Sequence, residues 1–103
     1  EMRERIRLIT ESELSDPEKA FAGLEREIPV YISVDKDVLS KEAVDTNWDQ
    51  GNLQTEALLD CLRYIFRQYS VIGIDVCGEP DANASDIEIQ KSEEIDRKIV
   101  QVL

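Results

Sequence analysis

Histidine is absent from this 103-residue chain. Its absence removes the commonest general base, the commonest transition-metal ligand and every His-containing catalytic triad. Cysteine is scarce. Cys61 and Cys77 form no CxxC or Cys/His pattern, so neither a zinc module nor a disulfide framework is expected. Cys61 falls on the apolar face of a predicted helix and Cys77 ends a predicted strand. Both read as small buried hydrophobes of a reducing cytoplasm. Basic residues are few, 12 Lys and Arg against 23 Asp and Glu, for a net charge of −11. Phosphate backbones and anionic membranes repel such a chain, so neither nucleic acid nor membrane is an expected partner. The acidity also serves solubility. No apolar run is long enough to span a bilayer. The opening residues EMRERIRLIT carry charge without the apolar core of a signal peptide, and a cytoplasmic protein is expected. Glu1 stands first and Met2 is the only Met, as in a piece of a longer chain or a product of tag removal.

What is present suits one small globular domain over residues 1–103. Apolar residues make up 42% and charged residues 34%, which fits a packed core under a polar surface rather than disorder. Residues 5–10 (RIRLIT) suggest a first strand. Ser15 and Glu18 form a capping-box pattern with Pro17 in the first turn. It predicts a helix over 17–27 that buries Ala20, Phe21, Leu24 and Ile28. Residues 30–34 are β-branched and aromatic, apolar on both faces as in a central parallel strand. An irregular polar stretch with Trp48 and Asp49-Gln50-Gly51 follows. Asn52 then caps the strongest predicted helix, where Leu53, Ala57, Leu58, Cys61, Leu62, Ile65, Phe66 and Tyr69 recur at helical spacing. Residues 71–77 (VIGIDVC) read as another buried strand. Ser85 and Glu88 open a last helix with Ile87, Ile95, Ile99 and Val102 on one side. The order β-α-β-α-β-α implies an α/β fold: a parallel sheet with right-handed crossovers and helices on both faces, a three-layer αβα arrangement.

Chemistry concentrates at strand ends. Residues 28–40 (IPVYISVDKDVLS) run an apolar strand into Asp35 and Asp37. Two positions apart on a strand, the two point to one face while Lys36 points away. Paired hard oxygen ligands suit Mg²⁺ or Mn²⁺. In parallel α/β sheets ligands gather at the carboxyl ends of the strands, where Glu79 would join the pair. Asp75, inside the second apolar strand, needs a partner to offset its burial. Taken alone, an Asp-x-Asp pair after a strand is usually a solvated turn or a helix cap.

The stretch VYISVDKDVL resembles the S-x-D-x-D motif of the arginase/agmatinase (ureohydrolase) family. The elements before and after it, from IRLITESEL to GIDVCGEP, follow the family's order. The likeness covers most of the chain, as the C-terminal part of a family member. It implies an arginase-like fold and two Mn²⁺ ions bridged by hydroxide, which attacks a guanidinium or amidine carbon. It further implies Asp35 and Asp37 as metal ligands, with Ser33 before them, and Glu79 as the acid receiving the cationic end of a guanidino or amidino substrate. Ser40 stands where the family commonly has a third Asp, and VDTNWDQGNLQ replaces its glycine-rich loop. The family's early histidine motifs are missing. The chain is therefore expected to hold half of a metal site, to hydrolyse nothing alone and to self-associate through exposed sheet edges. Two rivals stay open: a non-catalytic relic of the fold, and an acidic module that binds a basic protein.

Overall fold

The computed structural model describes residues 7–45, 50–80 and 83–103. Five elements carry labels here: helix α1 (Pro17–Ala20), strand β1 (Val30–Asp35), helix α2 (Thr55–Gln68), strand β2 (Val71–Cys77) and helix α3 (Asp86–Val102). Short 3-10 turns at Glu13–Ser15 and Lys36–Val38 precede α1 and follow β1. The fold is mixed α/β.

β1 and β2 pair in parallel, from Val30↔Val71 to Asp35↔Cys77, with an irregularity between Val30 and Tyr31. The β1–α2–β2 crossover thus follows the expected pattern. The sheet has two strands among the described residues, not the three expected. Of the expected first strand, residues 7–10 are irregular chain and Arg5 and Ile6 lie outside the described residues.

Alternation along β1 sets the layers. Ile32 and Val34 are buried, whereas Tyr31, Ser33 and Asp35 are exposed. The expectation of a strand apolar on both faces therefore gives way to a strand covered on one. Ile32 and Val34 share a single core with Leu58, Leu59 and Leu62 of α2 and with Ile95 and Ile99 of α3. The same face thus takes both long helices, in place of one layer on each side. Leu39, Val44 and Leu53 complete the core. Each well-buried aliphatic side chain contributes about 1.5–3 kcal/mol, so these residues dominate the stability of the chain.

Local signals explain the helix ends. α3 starts at Ser85, whose side chain accepts a hydrogen bond from the Glu88 amide, as the capping box predicts. α1 is capped by Asp16, which accepts from the Lys19 amide, rather than by Ser15. It also stops seven residues early. Gly23 takes φ +88°, a left-handed conformation that ends helical structure at no steric cost. The Tyr69 hydroxyl contacts the Phe21 and Leu24 carbonyls at 3.4 Å, and the Arg7 guanidinium donates to the Ala22 carbonyl. Leu24 and Ile28 consequently stay exposed. α2 begins after Gln54, with no side-chain cap, so Asn52 is not its cap. No helix among the described residues is long and apolar enough to cross a membrane.

Candidate functional site at the carboxyl end of the sheet

The chain leaves β1 at Asp35 and turns at once. Asp35 Oδ1 accepts a hydrogen bond from the Asp37 amide at 3.0 Å, and Leu39 N–H closes the 3-10 turn on the Lys36 carbonyl. Asp37 thus lies in the turn rather than on the strand. The two carboxylates are joined by a capping interaction instead of by strand alternation alone.

Two glycines let neighbouring loops press against this turn. Gly78, just past β2, has φ +86°. A Cβ there would lie 2.6 Å from Asp35 Oδ1 and 2.8 Å from the Lys36 amide nitrogen. Gly51 donates its amide to the Asp37 carbonyl at 2.8 Å, and a Cβ on it would lie 2.6 Å from the Val38 carbonyl oxygen. Leu53 N–H donates to Val38 and Ser40 N–H to Leu53, forming a small parallel bridge at Leu39 and Leu53. The Gln50 side chain donates to the Leu39 and Val44 carbonyls. The polar loop expected around the Asp-Gln-Gly sequence therefore braces the acidic turn. Trp48 and Asp49 lie outside the described residues.

Burial leaves two oxygen atoms of this segment without a hydrogen-bond partner: Asp37 Oδ1 and Ser40 Oγ. Buried polar atoms are nearly always satisfied, and exceptions often mark an ion or water position. The orphaned carboxylate oxygen fits a hard divalent cation. Two carboxylates are only part of a site, however. Among the described residues no three His, Cys, Asp or Glu side chains gather to hold a metal.

Lys36 is the residue sequence reasoning undervalued. Its side chain is completely buried. The ammonium group meets Glu79 Oε1 at 2.8 Å, Ser92 Oγ at 2.6 Å and Asp96 Oδ1 at 2.9 Å, which uses all three of its donors. Ser92 Oγ in turn donates to Glu79 Oε2 at 3.1 Å. The Lys36 hydrogen bond chiefly holds the Glu79 carboxyl below the usual range, against partial desolvation. Strand parity was the available signal, since Ile32, Val34 and Lys36 fall on the inward face in sequence. Glu79, expected on the substrate rim, is engaged by Lys36 and Ser92.

Asp75 lies on the open face of the sheet, where its carboxylate accepts hydrogen bonds from Tyr31 Oη at 2.9 Å and Ser33 Oγ at 2.7 Å. Hydroxyls on β1, rather than burial in a strand interior, define its surroundings. The hydrogen bond to Asp75 pushes the Tyr31 hydroxyl pKa up. Cys61 is buried as expected, and desolvation pushes its thiol to about 11. Cys77, expected buried, is exposed, because β2 presents it on the uncovered face beside Asp35.

The chain is 39% identical over 101 residues to an uncharacterized protein of Thermotoga maritima, an alignment that covers 98% of this chain and 40% of that protein. The chain thus spans 40% of the length of the relative it matches. No family model matches the chain. No solved structure matches it.

Proposed function

We propose that this chain is the C-terminal portion of an arginase-like, Mn²⁺-dependent hydrolase acting on linear C–N bonds of guanidino or amidino compounds. In this reading Asp35 and Asp37 are its share of the metal ligands. One observation carries the reading: the buried, unpartnered Asp37 Oδ1 in the turn that ends a parallel strand. A carboxylate oxygen removed from water without a donor is costly, and a hard cation is the partner that removes that cost.

The finer architecture follows from the same reading. A parallel sheet is normally covered on both faces, whereas the face bearing Tyr31, Ser33 and Asp75 is open here. The remainder of a longer polypeptide would cover that face, complete the three-layer αβα fold and bring the missing ligands. Bound divalent cations supply an acidified water and a positive field for charge developing at the attacked carbon. Asp35 and Asp37 would hold them, and the braces at Gly51 and Gly78 would keep the two carboxylates aligned.

A second reading, a non-catalytic relic of the fold or an acidic interaction module, is favoured by Glu79. Its carboxylate pairs with Lys36, an engagement that competes with holding a cationic substrate.

Titration of the 103-residue chain with Mn²⁺ separates these readings. Weak binding that disappears in Asp37→Asn supports the hydrolase ancestry. Binding insensitive to Asp37→Asn, or none, favours the relic. The chain alone is expected to release neither urea nor amine from guanidino compounds. Turnover by it would refute the assignment of only half the ligands to this segment.

A further inference from the structure

Lys36 stands between Asp35 and Asp37 in sequence, yet its side chain leaves the backbone in the opposite sense, toward α3. The turn itself is weakly held by local bonds. It is a three-residue 3-10 segment with one backbone hydrogen bond back to Lys36, a geometry poorer than that of an α-helix. The strong restraints come from far along the chain. The ammonium binds Glu79, 43 positions away, Ser92, 56 away, and Asp96, 60 away. Two of these partners lie on α3, a seventeen-residue helix whose Ile95 and Ile99 are core residues. The third follows Gly78, the residue packed directly against the turn.

We propose that Lys36 is a positioning residue of this turn, acting beside the backbone bonds from Gly51 and Leu53. Its buried ammonium anchors the backbone between the two aspartates to α3 and to the segment after β2, and so sets where both carboxylates project. The functional meaning rests on the reading of the turn as a cation site, while the geometric claim stands apart from it. Two accounts of the lysine differ in sign. Acting only through its charge, Lys36 would repel a nearby cation, and its removal would tighten metal binding. Acting by anchoring, its removal lets the carboxylates wander, and binding weakens. Loss of residues that orient metal ligands typically lowers affinity by about 10–100-fold.

The test uses the 103-residue chain as wild type, Lys36→Met and Asp96→Asn. Asp96 is a partly exposed partner, so the second variant serves where Lys36→Met does not fold. Amide hydrogen exchange by NMR reads the turn directly, without metal. The Asp37 amide, bonded to Asp35 Oδ1, should exchange faster in both variants, while Leu62 in α2 and Ile74 in β2 keep their protection. Mn²⁺ titration of Lys36→Met, followed by the free-ion electron paramagnetic resonance signal, should show a dissociation constant raised by about tenfold. For Asp96→Asn, where charge and anchoring predict the same sign, exchange at the Asp37 amide is the deciding readout. Unchanged exchange at Asp37, or Mn²⁺ binding that tightens when the lysine is removed, overturns the proposal. If the wild type binds no Mn²⁺, the cation reading falls and exchange at Asp37 alone decides the anchoring claim.

Discussion

A lysine with no exposed surface is an expensive residue unless its charge is answered. Lys36 is answered twice over, by Glu79 and Asp96, and the two carboxylates reach solvent to different degrees, with 63% and 40% of their side chains exposed. The bond from Lys36 to Glu79 makes the cluster sensitive to acid. The Glu79 carboxyl titrates below its ordinary 4.5 in the folded chain. A group with a depressed folded pKa binds fewer protons folded than unfolded, so its contribution is complete above the unfolded value and is lost as pH falls through the folded one. Urea unfolding midpoints measured from pH 7 down to about pH 3.5 should therefore decline below pH 5. The decline should be shallower in Glu79→Gln, which carries no proton to gain. Identical slopes in the two proteins would show that Glu79 adds nothing to the pH dependence. Sequence inspection found both acids of the turn and Glu79 but not the pairing of Glu79 with Lys36. A residue's partner across 43 positions leaves no trace in local pattern.

At the scale of elements, the strongest signals were the ones with redundant encoding. α2 and α3 each carry apolar residues at helical spacing, and α3 adds the Ser85 side-chain cap expected of its capping-box sequence, while the Glu88 carboxylate turns to the Asp45 amide and Lys91. Replacing the cap, Ser85→Ala, should cost about 0.5–2 kcal/mol in chemical denaturation, with the amides of the first α3 turn losing protection first. A variant as stable as wild type would mean that the Ser85 bond to Glu88, at 3.3 Å, is replaced by water without loss. The weaker signals failed for a common reason. Beyond its start signals at Ser15, Pro17 and Glu18, the predicted helix over 17–27 rested on apolar spacing, and Gly23 with its positive φ ends that pattern where side chains from Arg7 and Tyr69 take the carbonyls. In the expected first strand, apolar character without a described neighbour in the sheet formed no ladder over residues 7–10.

For the molecule as a whole, the radius of gyration is 14.5 Å, somewhat above the ~13 Å typical of a compact 100-residue domain. The principal extents are 42 × 27 × 23 Å. Each strand has one ladder partner among the described residues, which leaves an outer edge on both. Tyr31 and Ile72 are exposed on those strands. Unpaired edges beside apolar side chains recruit further strands. Sedimentation velocity over a rising concentration series should show dimers or larger species. The net charge of −11 opposes association, so added salt should strengthen it by screening. A single monomeric boundary at every concentration and salt level would count against edge pairing.

Composition and periodicity alone were enough to establish a mixed α/β chain, its two long helices, its two apolar strands in parallel and the acidic pair at the end of the first strand. These are properties written within a dozen residues, where propensity and side-chain alternation act. The one-sided cover of the sheet, the early end of α1, the exposure of Cys77 and the capture of Glu79 by Lys36 came from packing. Each depends on which distant groups meet, and burial then turns a meeting of charges or a close backbone approach into a requirement.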